Sequence, residues 1–335
     1  AFPYTVVPCP RIYRFPEYFV EARLLAAAVT GDLIIPVKAV GDTIPVALHL
    51  RGKRGARVVP YLDEWDGALM AQRTPAERRQ RWRAHWHHPL EDVYYPWVER
   101  HIASCDSVIS TSTFLQRRFG GHVVPMGVDT SYFQPAAPAV VDQLRREHGL
   151  EGLKLVVFGG VVRPHKGLEL IPQALALAGD PLLRFVIVGP INEHVKALCA
   201  HPDYGRLIVT LGPQPRERMP QFLSLADLVI LPLQDTLLAQ SQVPCKIFEA
   251  MAMARPIIAS SVSDMPGILR DCGWVVPPGD VDALAATVRT VLGDPAEAAR
   301  RGAAARVRCE ATYSQQVTER VLVQIVASLP GGQRA

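Results

Sequence analysis

Val157-Phe158-Gly159-Gly160-Val161-Val162-Arg163-Pro164-His165-Lys166-Gly167 decides the fold. It begins as the end of a short β-branched run, Leu153–Phe158, and passes through two glycines into a basic loop. A helical stretch, Leu168–Ala178, follows, and then a second β-branched run, Arg184–Val188. Strand, turn, helix and strand in this order read as a βαβ unit with parallel strands. Glycine at the strand end lets backbone come close to a ligand. Lys166 offers a point charge and Arg163 a planar fork, and both suit phosphate oxygens. A merely solvated basic turn has the same composition, so the meaning of the loop depends on what the chain sets beside it.

The alternation continues in both directions. Upstream, Asp32–Val37 and Arg57–Leu62 read as strands, with a helix-like segment near Ile44–Lys53 after the first. Glu91–Ser104 reads as a helix, Ser107–Ser110 as a strand, Ser112–Phe119 as a short helix and His122–Pro125 as another strand. Thr130–Pro138 is proline-rich and polar, and reads as a linker before the helix Val140–His148. Downstream, Leu207–Leu211, Leu228–Leu231, Pro256–Ser260 and Gly273–Val276 read as strands, and Lys246–Ala252, Asp280–Leu292 and Pro295–Ala327 as helices. The last is long enough to leave the second domain and return to the first. The expected fold is therefore α/β, two doubly wound domains whose ligands bind at the carboxyl ends of parallel strands. The expected division is 1–138, 139–312 and a returning helix, 313–335.

A second segment carries chemistry. Gln240-Ser241-Gln242-Val243-Pro244-Cys245-Lys246-Ile247-Phe248-Glu249 is a polar loop running into a helix with Lys246 in its first turn. The N–H groups and positive dipole end of a helix start favour a phosphate. Glu249, one turn on, either accepts hydrogen bonds from a ribose diol or complements the helix N-terminus.

Together these segments resemble the donor-binding half of retaining GT-B glycosyltransferases, in particular glycosyltransferase family four. The resemblance runs through Gly159–Gly167, Val186-Ile187-Val188-Gly189-Pro190, Leu211-Gly212-Pro213, Ala226-Asp227-Leu228-Val229-Ile230-Leu231-Pro232, the Glu-Ala-Met-Ala helix at 249–252 and Pro256–Ser260. Val108–Ser112, Phe114-Leu115, Val124–Asp129 and Phe133 are similar to the closing segment of the family's acceptor domain. Asp32–Lys38 and Arg57–Asp66 look like its earlier strands. The resemblance implies two Rossmann-like domains facing a cleft, and a nucleotide-sugar donor held by Gly159, Gly160, Gly189, Pro213, Ser241, Gln242, Val243, Pro244, Lys246 and Glu249. The family often carries a pair of Glu, the second contacting ribose. Glu249 fits the second, and Ser241 stands where the first would fall. The donor sugar would then be met by the backbone amides of Gln242 and Val243.

The implied reaction retains anomeric configuration and uses no metal and no cofactor. Arg163, Lys166 and the Lys246 helix start would stabilise the departing diphosphate. The acceptor proton goes to the leaving phosphate or to a carboxylate at a strand end, Asp63, Glu64 or Asp66, with Lys38 a lesser candidate. An acidic turn that only caps and solvates is the alternative for that cluster. Arg73–His88 sets Trp82 and Trp86 one helical turn apart among five arginines. Such a face can lie on an anionic membrane or hold a lipid-linked acceptor, or the indoles can be core. The expected partners are a nucleotide-sugar donor and a hydroxyl acceptor, with peripheral membrane contact.

Composition sets the outer limits. The chain has 335 residues, 36 Lys and Arg against 32 Asp and Glu, and a net charge of +4, too weak a balance to point to nucleic acid. Cys9, Cys105, Cys199, Cys245, Cys272 and Cys309 form no CxxC pair and read as scattered reduced thiols, which points to the cytoplasm. No stretch reads as a membrane span or a signal peptide. The sequence opens at Ala1 and runs into strand-like Tyr4–Val7, so a leading piece is expected to be missing. No G-x-G-x-x-G follows a strand, which disfavours a dinucleotide oxidoreductase. A nucleotide-sugar epimerase of similar architecture and a degenerate nucleotide-binding module are the rivals.

Overall fold

The computed structural model describes residues 12–163 and 166–329. The strand expected at Tyr4–Val7, Cys9, and Pro164 and His165 of the basic loop lie outside the described residues. The chain divides into two units, 1–125 with 240–242 and 321–335, and 126–239 with 243–320. The division falls ahead of the proline-rich stretch.

In the first unit proline cuts the strands short. β1 (Leu33–Ile34) pairs in parallel with β2 (Arg57–Val58), and β3 (Tyr61–Leu62), β4 (Ile109–Ser110) and β5 (His122–Val123) form a parallel sheet in that order. The runs Asp32–Val37 and Arg57–Leu62 were each expected as one strand. They stay extended side by side, with Val59 N donating to Ile34 O at 3.0 Å and Tyr61 N to Pro36 O at 2.8 Å. Pro36 and Pro60 accept but have no N–H to donate, so the ladder is interrupted there. The helix expected over Glu91–Ser104 is likewise broken, into Asp92–Tyr94, Tyr95–Arg100 and Ile102–Ser104. Pro96 fits only a first helical turn, so the middle helix starts at Tyr95. Val59, Ile109 and Val124 pack with Ile325 and Leu329 from the end of the chain.

The second unit has longer strands. β6 (Lys154–Gly159), β7 (Leu183–Val188) and β8 (Ile208–Gly212) lie in parallel in that order. β9 (Val229–Leu231), β10 (Ile257–Ser260) and β11 (Trp274–Val276) form a second parallel set. Val156 bridges Leu228 in parallel, which sets β6 beside β9. The strand order therefore reverses between β6 and β9, the switch point at which open α/β sheets bind ligands. Both faces are covered. Leu168, Ile171 and Leu175 pack with Leu284 and Val288 on one side, and Phe222, Ile247 and Phe248 lie in the core on the other.

A second expected helix is also corrected. Pro295–Ala327 is not continuous, because Pro295–Arg308 runs into a wider turn at Cys309–Tyr313 and restarts as Gln315–Ser328. Ser314 between them is extended, at φ −69° and ψ 152°. It bridges Val128, which donates from N to Tyr313 O at 3.0 Å and accepts from Gln315 N at 2.9 Å. Strand-type pairing with a distant residue thus outcompetes helical continuation. Residues 321–328 of the final helix group with the first unit, where Arg57 Nη1 donates to Val326 O at 3.4 Å.

Two glycines test the packing. A Cβ at Gly302, inside Pro295–Arg308, would lie 2.4 Å from Ala254 O, whereas one at Gly52, inside Ile44–Arg54, meets nothing within 4 Å. Gly302→Ala is expected to lower stability by about 1–3 kcal/mol through overpacking. Gly52→Ala is expected to raise it by about 0.5–1 kcal/mol through backbone entropy. Urea denaturation reads both, and a neutral Gly302→Ala would contradict the close approach.

Candidate active site

The switch point is built from backbone first. Gly160 N donates to Val188 O at 2.9 Å, which holds the ends of β6 and β7 together. A Cβ at Gly189 would lie 2.2 Å from Gly160 O, so only glycine fits there. Gly160 has φ +132°, a conformation that side chains avoid. Gly167 plays the same part at the end of β9, with φ +68° and Pro232 O 2.2 Å from where its Cβ would stand. The basic loop is thereby pinned at both ends against neighbouring strand ends.

The helix Cys245–Ala252 starts beside this loop. A Cβ on Gly160 would stand 3.4 Å from Lys246 Cε and 3.8 Å from its Nζ. Pro244 is the N-cap and supplies no side-chain cap. Lys246 Nζ lies 3.0 and 2.9 Å from the two carboxylate oxygens of Glu249. The Glu249 side chain is only 14% exposed. Burial pushes the Cys245 thiol pKa up, Glu249 adds to the rise, and Lys246 and Lys166 oppose it. That electrostatic reach places Lys166 near the helix start as well. Gly159, Gly160, Gly189, Lys166, Lys246 and Glu249 are thus brought to one end of one sheet.

The remaining expected donor contacts differ in exposure. Arg163 is exposed on the surface. Pro213 is exposed, directly after Gly212 at the end of β8. Ser241 is fully buried and Gln242 and Val243 nearly so. Residues 240–242 group with the first unit, where Ser241 Oγ accepts from Trp65 N at 2.9 Å and Ser241 O accepts from Ser112 Oγ at 2.7 Å.

A cavity of about 530 Å³ opens in the second unit along the start of the same helix. Cys245, Phe248 and Glu249 form one wall, and Asp129, Tyr132 and Arg216 contribute to the rest. None of the last three was singled out from the sequence. Asp129 and Tyr132 share one segment and Arg216 comes from a distant one, and only Asp129 lies in a motif already quoted.

In the first unit the acidic turn after β3 surrounds Lys38. Its Nζ pairs closely with Glu64, and lies 3.7 Å from Asp66 Oδ1 and 3.9 Å from Asp63 Oδ1. Burial lowers the Lys38 pKa, but the Glu64 hydrogen bond and the three negative charges outweigh it and raise it. Burial raises the pKa of Asp66, against the pull of Lys38 and of the Ala39 N–H, which donates to its Oδ2 at 3.1 Å. Asp63 Oδ1 is buried without a hydrogen-bond partner among the described residues. The turn is a charged nest rather than a solvated cap.

Trp82 and Trp86 are not core. The helix Pro75–His85, entered by a Thr74–Glu77 capping box, buries none of its residues. Cys105, Cys199, Cys245, Cys272 and Cys309 are free thiols among the described residues.

Comparison with known proteins places this geometry. The family model described as Glycosyl transferases group 1 matches residues 152–294. The 2-deoxystreptamine glucosyltransferase of Streptomyces kanamyceticus is 30% identical over 297 residues, 81% of this chain and 73% of that protein. A GDP-mannose-dependent monoacylated alpha-(1-6)-phosphatidylinositol monomannoside mannosyltransferase of Corynebacterium glutamicum is 28% identical over 224 residues, 63% of this chain and 58% of that one. Among solved structures, Anabaena HepE in complex with UDP superposes with a TM-score of 0.73 at 19% identity, over 94% of this chain and 82% of that one. Sucrose-phosphate synthase from Thermosynechococcus elongatus gives 0.73 at 21%, over 97% and 80%. These neighbours share the GT-B fold with this chain, and the sequence relatives share more than fold: the chain belongs to the group 1 glycosyl transferases.

Proposed function

We propose that this glycosyltransferase moves a hexose-type sugar from a nucleotide-diphosphate donor to an acceptor hydroxyl in the cytoplasm, retaining anomeric configuration and using no metal. The observation that carries the reading is the Lys246–Glu249 pair at a helix start, set against Gly160 at the switch point. The names of the relatives support it, one a glucosyltransferase and one GDP-mannose-dependent. HepE has been solved with UDP-glucose.

The ion pair gives the site its chemistry. A diphosphate arriving at the helix start draws Lys246 Nζ away from Glu249. The released carboxylate then accepts from the ribose diol, so phosphate and ribose recognition are coupled through one side-chain exchange. Lys166 and Arg163 add positive charge to the loop. As the bond from the anomeric carbon to the diphosphate oxygen breaks, negative charge grows on the leaving group, and these cations stabilise it. The acceptor oxygen bonds to the same face of the sugar, and its proton passes to the leaving phosphate or to a carboxylate. Of the acidic residues, Asp63 suits the proton better than Asp66, because Asp66 already accepts from Ala39 N whereas Asp63 Oδ1 has no hydrogen-bond partner among the described residues. The acceptor is a glycan, a lipid-linked sugar or a small natural product.

Proton NMR of the product is expected to show the donor's anomeric configuration, with turnover unchanged by EDTA. An inverted product or loss of turnover on chelation contradicts the mechanism. Lys246→Ala is expected to lower kcat by about 10²–10³, the effect of removing one transition-state donor. In thermal-shift measurements a nucleoside diphosphate at about 100 times Kd should stabilise the chain by about 2.7 kcal/mol. Gly189→Ala, which forces the β6 and β7 ends apart, should abolish that shift.

A further inference from the structure

The first unit carries an apolar face that the transfer reaction does not use. Phe19, Val20, Leu24, Trp82, Trp86 and Trp97 are each 48–58% exposed. They are not scattered. Phe19 stacks on Phe15 with ring centroids 5.4 Å apart, Phe15 meets Tyr94 edge-on at 6.0 Å, and Tyr94 packs on Trp82 at 5.3 Å. Tyr94 Oη also donates to Trp86 O. At the other end Phe19 and Trp97 line a groove of about 330 Å³, together with Ala22 and Val46, and Arg23 and His49 also line it. A continuous band thus runs from Trp97 through Phe19 to Trp82 and Trp86. Contiguous exposed patches of this kind mark interaction sites on proteins.

The charge along the band selects the partner. The helix Pro75–His85 has no buried residue, so packing does not explain its composition. Arg79 stands one turn before Trp82, Arg83 directly after it, and both are exposed. The acids beside this helix are already engaged. Asp92 and Glu91 pair with Arg81, Asp92 also with Arg73, and Glu77 closes the capping box. What faces outward is therefore indole beside guanidinium, a combination that sits at the level of lipid headgroups. A second copy of the chain docked symmetrically through this helix would set arginine against arginine. Among the described residues no helix is long and apolar enough to cross a membrane.

We propose that this face of the first unit docks on a bilayer of anionic phospholipid. The indoles and Phe19 enter the headgroup boundary, and Arg23, Arg79 and Arg83 meet phosphates. The inference does not rest on the transfer reaction. A vesicle assay contains neither donor nor acceptor, so its failure leaves the proposed reaction untouched.

The test is co-sedimentation of the full chain with vesicles of phosphatidylcholine alone and of phosphatidylcholine mixed with phosphatidylglycerol. Binding is expected only to the mixed vesicles, with a blue shift of tryptophan emission and weakening as salt rises. Arg79→Gln and Arg83→Gln should each lower apparent affinity about fivefold, the effect of one cation near an anionic surface. Trp82→Ala with Trp86→Ala should remove most of the bound fraction, and an unchanged melting temperature would show that these variants fold. A chain that stays in the supernatant with anionic vesicles overturns the proposal, as does equal binding to both compositions. A dimer in analytical ultracentrifugation that Trp82→Ala abolishes, without vesicle binding, assigns the face to a second copy instead.

Discussion

The carbonyl oxygen of Gly160 occupies the space that a Cβ at position 189 would need, and the rest of the donor half depends on that contact. It lets the ends of β6 and β7 close up at the switch point, where strand order reverses. The close approach leaves the turn after β6 with no side chain of its own at Gly159 and Gly160. The space beside it is taken instead by Lys246, reaching in from the start of another helix. A side chain at 160 would meet the Lys246 stem and strain the backbone at φ +132°. The cation at this sheet end is therefore positioned by two glycines about 90 residues away in sequence, a separation that the parallel sheet closes.

The same constraint explains why Lys246 and Glu249 pair with each other. A carboxylate with little exposure and a cation at the mouth of a turn are both partly desolvated, and Lys246 donates to both oxygens of Glu249. In the proposed reaction, a ligand that offers a diphosphate to one and a diol to the other exchanges partners with the pair. The nest around Lys38 in the first unit follows the same logic with the ratio reversed, one cation among three carboxylates, and leaves Asp63 Oδ1 without a hydrogen bond among the described residues.

How much of this was legible in the sequence follows from burial. Strands β6, β7, β9 and β10 are covered on both faces, so they read as continuous apolar runs, and their ends fall within a residue or two of the expectation. The two-residue strands of the first unit give no such run, and Pro36 and Pro60 divide them. The break at Ser314 was not legible. The alanine-rich sequence before it favours a helix throughout, and the interruption comes from Val128, nearly two hundred residues upstream. Gly160, Lys246 and Glu249 were recognisable because their motifs fix local geometry. The Lys246–Glu249 pairing, the burial of Ser241 and the cavity wall of Asp129, Tyr132 and Arg216 depend on tertiary proximity that no spacing encodes. The exposure of Trp82 and Trp86 was undecided at the level of helical spacing, because an amphipathic pair looks alike whether its face is covered or bare.

The central claim is that the Lys246–Glu249 pair is the resting form of a nucleotide-diphosphate grip. A crystal structure of the chain with a nucleoside diphosphate bound tests it most directly. The expected result is Lys246 Nζ on a phosphate oxygen, Glu249 accepting from both ribose hydroxyls, and Gly160 backbone against the diphosphate. A nucleotide bound away from the Gly160 turn, or bound there with the Lys246–Glu249 pair intact, would contradict it.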